Sequence, residues 1–145
     1  MRTKSARFLH EFRRNPSLQR ELFLYTHAAM AQATQIAVCS RFHLLEARLA
    51  RSLLMTCDRA RSNDFRLTHE FLARMLGVRR VGVTKAAGAL QQRKLISYSR
   101  GDIRILDRKG LEAASCRCYQ IVKNVQDRTQ GEHSNRKNST IAAMA

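Results

Sequence analysis

Apolar residues recur at helical spacing along most of the chain, and the sharpest pattern lies between Leu67 and Leu95. Phe71, Leu72, Met75 and Leu76 fall at i, i+1, i+4 and i+5, one stripe of a helix that begins near His69. Thr68 precedes it as a capping residue. Gly77 follows it, because glycine enters the left-handed conformation without a Cβ clash. A second helix is predicted from Arg79 or Arg80 to Arg93. Its Val83, Ala87 and Leu90 fall at i, i+4 and i+7 toward a core, with Ala86 beside them. Val81, Thr84, Lys85 and Gly88 occupy the opposite face. The stretch therefore predicts two helices joined by a tight turn.

Upstream, Ala6, Phe8, Leu9 and Phe12 predict a short amphipathic helix over 4–14. Asn15-Pro16 breaks it, Asn15 as a cap and Pro16 at the first position of the next helix. That helix is long, from Pro16 to about Ser40. Its Leu18, Leu22, Tyr25, Ala29, Gln32, Ile36 and Cys39 are spaced 4-3-4-3-4-3, the rhythm of a pairing seam. The length of the seam favours a dimer over packing on the chain's own domain. Ala29 lets two backbones approach, and Gln32 is a polar seam residue that can set register.

Ser40-Arg41-Phe42-His43 reads as a hinge, followed by a helix from about Leu44 to Cys57. Leu45, Leu49, Leu53 and Leu54 face inward on it, and Arg48 and Arg51 outward. Leucine at 44 cannot cap, at a cost of about 1 kcal/mol. That leaves two alternatives, nearly continuous helices or a looser hinge. Asp58 to Phe65 is a polar loop, with a small strand pair ending at Leu67.

After the second helix of the pair, Leu95–Ser99 and Ile103–Leu106 alternate as strands do, around the turn Arg100-Gly101-Asp102. A hairpin in that place is a wing. Asp107 then caps a helix from Arg108 to about Val122, with Leu111, Ala114, Cys118 and Ile121 as its stripe. From Lys123 periodicity is lost, which predicts a flexible tail. The fold class expected is mainly α with a small β-hairpin: a winged helix-turn-helix preceded by a long dimerisation helix. It divides into 1–43, a DNA-binding domain at 44–122 and a tail at 123–145.

Charge adds the partner. The 145 residues carry a formal net charge of +16, which calls for a polyanion, nucleic acid first. Between Arg79 and Lys94 there are five basic residues and no acid. Arg79 and Arg80 sit at a helix N-terminus, where the macrodipole disfavours each positive charge by about 0.3–1 kcal/mol. An anionic partner explains that inversion, and DNA in a major groove is the expected one. No secretory signal opens the chain and no run approaches the ~20 apolar residues of a membrane span. The expectation is a cytoplasmic protein with no membrane partner.

Candidate chemistry is sparse. Cys39, Cys57, Cys116 and Cys118 form no C-x-x-C. Cys116-Arg117-Cys118 has no second pair at zinc-finger spacing, and the five histidines are scattered. Buried or idle thiols are expected, with no metal site and no cofactor. Nothing is spaced as a catalytic triad or paired carboxylates, so no enzyme is expected.

The order of elements resembles the C-terminal part of Crp/Fnr-type transcription regulators over roughly 16–120. The residues that carry it are Arg48-Leu49-Ala50-Arg51 with Leu53-Leu54, and Leu67-Thr68 with Phe71-Leu72-Ala73. To these are added Met75-Leu76-Gly77-Val78-Arg79-Arg80, and Leu95-Ile96 with Arg100-Gly101 and Ile103-Ile105. The resemblance implies a homodimer gripping a two-fold-symmetric operator in double-stranded DNA. It places Arg80 on guanine O6 and N7, and Lys85 on a base acceptor or phosphate. Val81 stands where the family has an acid and offers apolar contact only. Thr68 matches a phosphate-contacting cap. Arg79 and Gly82 stand where hydroxyl residues are common. Thr68, Arg79, Arg80, Val81, Thr84, Lys85 and Arg100 are the expected DNA-binding residues.

Full family members carry an N-terminal β-roll that binds a cyclic nucleotide or another signal. Here only residues 1–15 correspond to it, and glycine first appears at Gly77. A cyclic-nucleotide switch is therefore not expected. Repression by occupancy, or mixed dimers with a full-length relative, is expected ahead of activation through RNA polymerase. Two alternatives stay open: a helical interaction module that binds nucleic acid without preference, and a truncated remnant acting by mixed dimerisation.

Overall fold

The computed structural model describes residues 3–125 and 127. Its elements are α1 (Ser5–Arg14), α2 (Pro16–Phe42), α3 (Leu45–Ala60), β1 (Asp64–Arg66), α4 (His69–Leu76), α5 (Arg80–Gln92), β2 (Ile96–Ser99), β3 (Asp102–Ile105) and α6 (Arg108–Ala114). The backbone is helical again over 118–125. The chain forms two compact units. One holds 35–121, the other 1–34 with 122–145, and the boundary after Thr34 falls inside α2.

In the smaller unit, Asn15 breaks the helix as expected. Its backbone is extended, and its side-chain oxygen accepts from the Leu18 amide at 3.1 Å. The rings of Phe8 and Phe12 stack at 6.1 Å, and Phe12 meets Phe23 edge-on at 6.5 Å. Gln19 donates to the Phe12 carbonyl at 2.7 Å. These contacts hold α1 against the first turns of α2.

The larger unit is built on α3, which packs against α5 and α6. Leu49, Leu53 and Leu54 of α3 are fully buried, as are Val83 and Leu90 of α5 and Leu111 of α6. Each such side chain contributes roughly 1.5–3 kcal/mol of apolar burial. Leu44 is extended and makes no side-chain cap, so α2 and α3 are separate helices broken at His43–Leu44. Arg48 donates instead to the Leu76 carbonyl at 2.5 Å, a cation on the negative end of α4.

The strands form one antiparallel sheet in the order β1-β3-β2, with Phe65 opposite Ile103 and Ile96 opposite Ile105. Arg100 and Gly101 connect β2 to β3, both with positive φ (49° and 95°). A two-residue hairpin with that geometry matches the right-handed strand twist. Asp107 caps α6 by accepting from the Gly110 amide at 2.9 Å.

Four expectations are corrected. Arg51, expected outside, is 4% exposed. It donates to the Met55 sulfur one turn on, at 3.8 Å. Phe71 and Met75, expected in the α4 stripe, are exposed at 53% and 45%, while Ala73 is buried beside Leu72 and Leu76. The helix is only two turns long, so its core face is one residue narrower than the apolar run. The predicted helix from Arg108 to Val122 is interrupted at Ser115, whose ψ of 160° is extended. The restart shifts the face, so Tyr119 is buried and Ile121 exposed. Helix also continues through 123–125, where the tail was expected to begin. Of the rest of that expected tail, 126 and 128–145 lie outside the described residues.

Candidate nucleic-acid interface

The candidate surface begins with the turn that joins α4 to α5. Thr68 caps α4 by accepting from the Phe71 amide at 3.2 Å, which leaves its hydroxyl proton able to donate outward. Gly77 ends the helix at φ 64°, and its amide reaches back to the Ala73 and Arg74 carbonyls. Arg79 is the N-cap of α5 and offers no side-chain cap bond. The first turn of the helix holds no acid. Gly82 lets α3 approach, because a Cβ there would lie 2.9 Å from a Leu45 methyl.

The predicted face of α5 is the exposed one. Arg79, Arg80, Val81, Thr84, Lys85 and Gly88 all face solvent, and Val83, Ala86, Ala87 and Leu90 are buried. The wing comes to the same place. The Leu67 amide donates to the Gly101 carbonyl at 2.8 Å, and the Thr68 methyl lies 3.6 Å from where a Gly101 Cβ would be. Thr68 and exposed Arg100 are thus neighbours across that contact, although 32 residues of chain separate them.

His69 and Tyr98 are the residues that sequence reasoning missed. Their rings stack at 4.0 Å, only 14° from parallel. His69 Nδ1 is 3.0 Å from the Thr84 hydroxyl, which also donates to the Arg80 carbonyl at 3.2 Å. The stack therefore ties the start of α4, the wing and the first turns of α5 together. Burial first, and then the Arg80 charge, hold the His69 pKa below its usual range. A neutral ring keeps α5 from a further cation at its N-terminus. Thr84, expected to face DNA, is engaged in this internal bond. A histidine three residues before Leu72 and an aromatic in a predicted wing strand were the available signals. Neither marks a partner without the fold.

Charge pairing distinguishes this surface from five other arginines of the larger unit. Arg66, Arg74, Arg93, Arg104 and Arg108 each meet a carboxylate: Asp102, Glu70, Glu46, Asp64 and Asp58 respectively. Among the described residues, no carboxylate pairs with Arg79, Arg80, Lys85 or Arg100.

The expected pairing residues lie along α2. Tyr25, Ala29 and Ile36 are exposed, and Leu18, Leu22 and Gln32 are half-buried. Cys39, the last of them, is fully buried and packs with Cys116, Cys118 and Ala47. It is a core residue of the larger unit and cannot also meet a second copy.

The expectation of scattered metal ligands is also corrected. Cys39, His43, Cys116 and Cys118 converge in the larger unit. Burial, and then the bond to Cys116, push the Cys39 thiol up to about 12, and burial also raises Cys116. No helix of the described residues is long and apolar enough to cross a membrane.

Comparison with known proteins bears on this geometry. None of the curated proteins matches the chain. A crystal structure of a regulator assigned to the Crp/Fnr family from Eubacterium rectale is similar at 28% identity and a TM-score of 0.55. The similarity covers 72% of this chain and 49% of that one. The chain thus spans about half the length of that protein. The catabolite activator protein of Thermus thermophilus matches at 20% identity and a TM-score of 0.46, over 81% of this chain and 52% of its own, too slight a likeness to bear on function. A family model, the Crp-like helix-turn-helix domain, matches residues 47–114. That range runs from α3 to the end of α6 and takes in the turn, the exposed face of α5 and the wing. Residues 47–114 of this chain are therefore a Crp-like helix-turn-helix domain in winged form.

Proposed function

We propose that this chain is a dimeric transcription regulator that reads a two-fold-symmetric DNA operator with the N-terminal turns of α5. The observation that carries the reading is the unneutralised cationic start of that helix. Arg79 and Arg80 stand exposed at the positive end of a helix dipole, while five other arginines of the unit have carboxylate partners. DNA phosphates and guanine edges relieve that arrangement. Arg80 and Lys85 are assigned to base edges and Val81 to a thymine methyl. Thr68, Arg79 and Arg100 are assigned to phosphates. Thr84, exposed on the same face, is held by His69.

Dimerisation is assigned to Leu18, Leu22, Tyr25, Ala29, Gln32 and Ile36 of α2. Its support is the heptad spacing together with the exposure of Tyr25 and Ile36. The domain division at 44–122 and the mixed-dimer mode belong to the same proposal. For residues 1–76 the same proposal includes no cyclic-nucleotide site, since that stretch contains no glycine with which to bring backbone amides close to a phosphate.

The test is selection of bound sequences from random duplexes at about 150 mM salt, where charges are screened beyond ~8 Å. The expected result is a palindrome whose half-sites are about one helical turn apart, with affinity unchanged by added cyclic AMP. An unenriched pool, with binding that disappears as salt rises, overturns base reading and leaves non-specific binding.

A further inference from the structure

Four side chains from distant parts of the sequence meet at one point in the larger unit. The sulfurs of Cys39, Cys116 and Cys118 and a ring nitrogen of His43 all lie within 4.8 Å of one another. Cys39 and His43 are one helical turn apart at the end of α2, and the His43 amide donates to the Cys39 carbonyl at 3.1 Å. Cys116 and Cys118 flank Arg117, Cys116 in the break after α6 and Cys118 at the start of the helical stretch 118–125. Cys39 Sγ is 3.5 Å from Cys116 Sγ, and Cys118 Sγ is 3.5 Å from His43 Nδ1.

The two 3.5 Å separations match edges of a tetrahedron around a metal ion. With Zn–S near 2.3 Å and Zn–N near 2.0–2.1 Å, ligand atoms around a tetrahedral zinc stand about 3.5–3.8 Å apart. We propose that Cys39, His43, Cys116 and Cys118 bind one zinc(II) ion in a closed Cys3His site that locks the last turn of α2 to the chain after α6.

A second observation supports the site. Arg51 is 4% exposed, and its Nε has no hydrogen-bond partner among the described residues. Its charge bears on Cys39. A buried guanidinium without a carboxylate is costly when uncompensated. Zinc with three thiolates and a neutral imidazole carries a net charge of −1, and that is the missing counter-charge. On binding, the three thiols release three protons, four metal–ligand bonds form, and nothing is oxidised or reduced. Gln35 donates its amide to Cys118 Sγ at 3.0 Å, the outer support that ligand sulfurs take.

The donor set selects the metal. Soft thiolates with imidazole suit zinc and exclude magnesium or calcium, and four protein ligands leave no open position for catalysis. The cluster is too tight for a polynuclear iron–sulfur core, whose cysteines hold the outside of several metal ions. A Cys39–Cys116 disulfide would need the sulfurs at about 2.05 Å, and would leave Cys118 and His43 without a role.

The test uses the full chain, purified reduced. Elemental analysis is expected to find one zinc per chain, and cobalt(II) is expected to give tetrahedral d–d bands with strong thiolate-to-cobalt charge transfer. The metal is lost in Cys116→Ser and retained in Cys57→Ser and His43→Cys. Because Cys116→Ser loses a core side chain, the cobalt spectrum of the unaltered chain is the readout free of folding defects. A folded, reduced chain that takes up neither metal overturns the proposal. So does a Cys116→Ser protein that keeps its full equivalent, or a chain in which Cys39 and Cys116 oxidise to a disulfide whether or not zinc is present. None of these readouts depends on DNA binding, so either proposal can fail without the other.

Discussion

Helices α2 and α5 both carry apolar residues at helical spacing, and they treat them in opposite ways. In α5, Val83, Ala86, Ala87 and Leu90 are buried, and the face left outside is basic. In α2, Phe23, Tyr25, Met30, Ile36, Val38 and Phe42 are all exposed, Tyr25 at 70%, and Cys39 is the one fully buried position. The stripe of α5 meets α3 and α4 within one chain. Much of the apolar surface of α2 stays exposed among the described residues. The same periodic signal thus has two outcomes: α5 is a core helix with an exposed basic face, and α2 keeps large apolar side chains exposed, the feature on which the dimer proposal rests.

Substitutions should separate the two regions. The largest effect is expected for Leu53→Ala in α3, about 2–5 kcal/mol of unfolding free energy from the cavity it leaves. A urea melt of the larger unit's signal measures it. A loss below 1 kcal/mol would mean that the α3 core is loosely packed. Ile36→Asp should leave circular dichroism unchanged and convert the chain to monomer in sedimentation, with loss of palindrome affinity. A dimer that survives the change places the interface elsewhere than on α2.

Arg80→Ala should weaken DNA binding by about 1–3 kcal/mol and relax selectivity at one base position. Equal weakening on every duplex would make Arg80 a phosphate contact. Asp107→Ala removes the cap of α6 and should cost about 0.5–2 kcal/mol without changing DNA selectivity.

The smallest effect expected is that of pH through His69. Its folded pKa lies below the ordinary value near 6.5. Below that value the unfolded chain binds the proton more readily than the folded one, so stability falls as pH drops from about 6.5 through the lower folded pKa. A His69→Gln protein should lack that part of the slope between neutral and mildly acid pH. An identical slope in both proteins assigns it to other groups.

Local chemistry made much of the fold readable. Asn15, Thr68 and Asp107 cap because their oxygens reach free amides within three residues. Gly77 and Gly101 turn the chain because they have no Cβ. Val83, Ala87 and Leu90 face the core because 3.6 residues make a turn. The exposed basic start of α5 was legible for the same reason: charge and helix polarity are properties of consecutive residues. Where the chain had to choose among neighbours, local pattern was insufficient. Phe71 and Met75 were apolar enough for a core that had room only for Leu72, Ala73 and Leu76.

What sequence alone determined about this protein is most of its helices, its caps and turns, the hairpin after α5 and the basic exposed face of α5. Each follows from contacts between residues a few positions apart. Tertiary structure alone decided the burial of Arg51, the His69–Tyr98 stack behind Thr84, and the place of Cys39 in the core. It also decided the convergence of Cys39 and His43 with Cys116 and Cys118, from sequence separations of 75 and 77 residues for the two close pairs. No spacing rule spans such distances, because what closes them is the packing of α3 against α6.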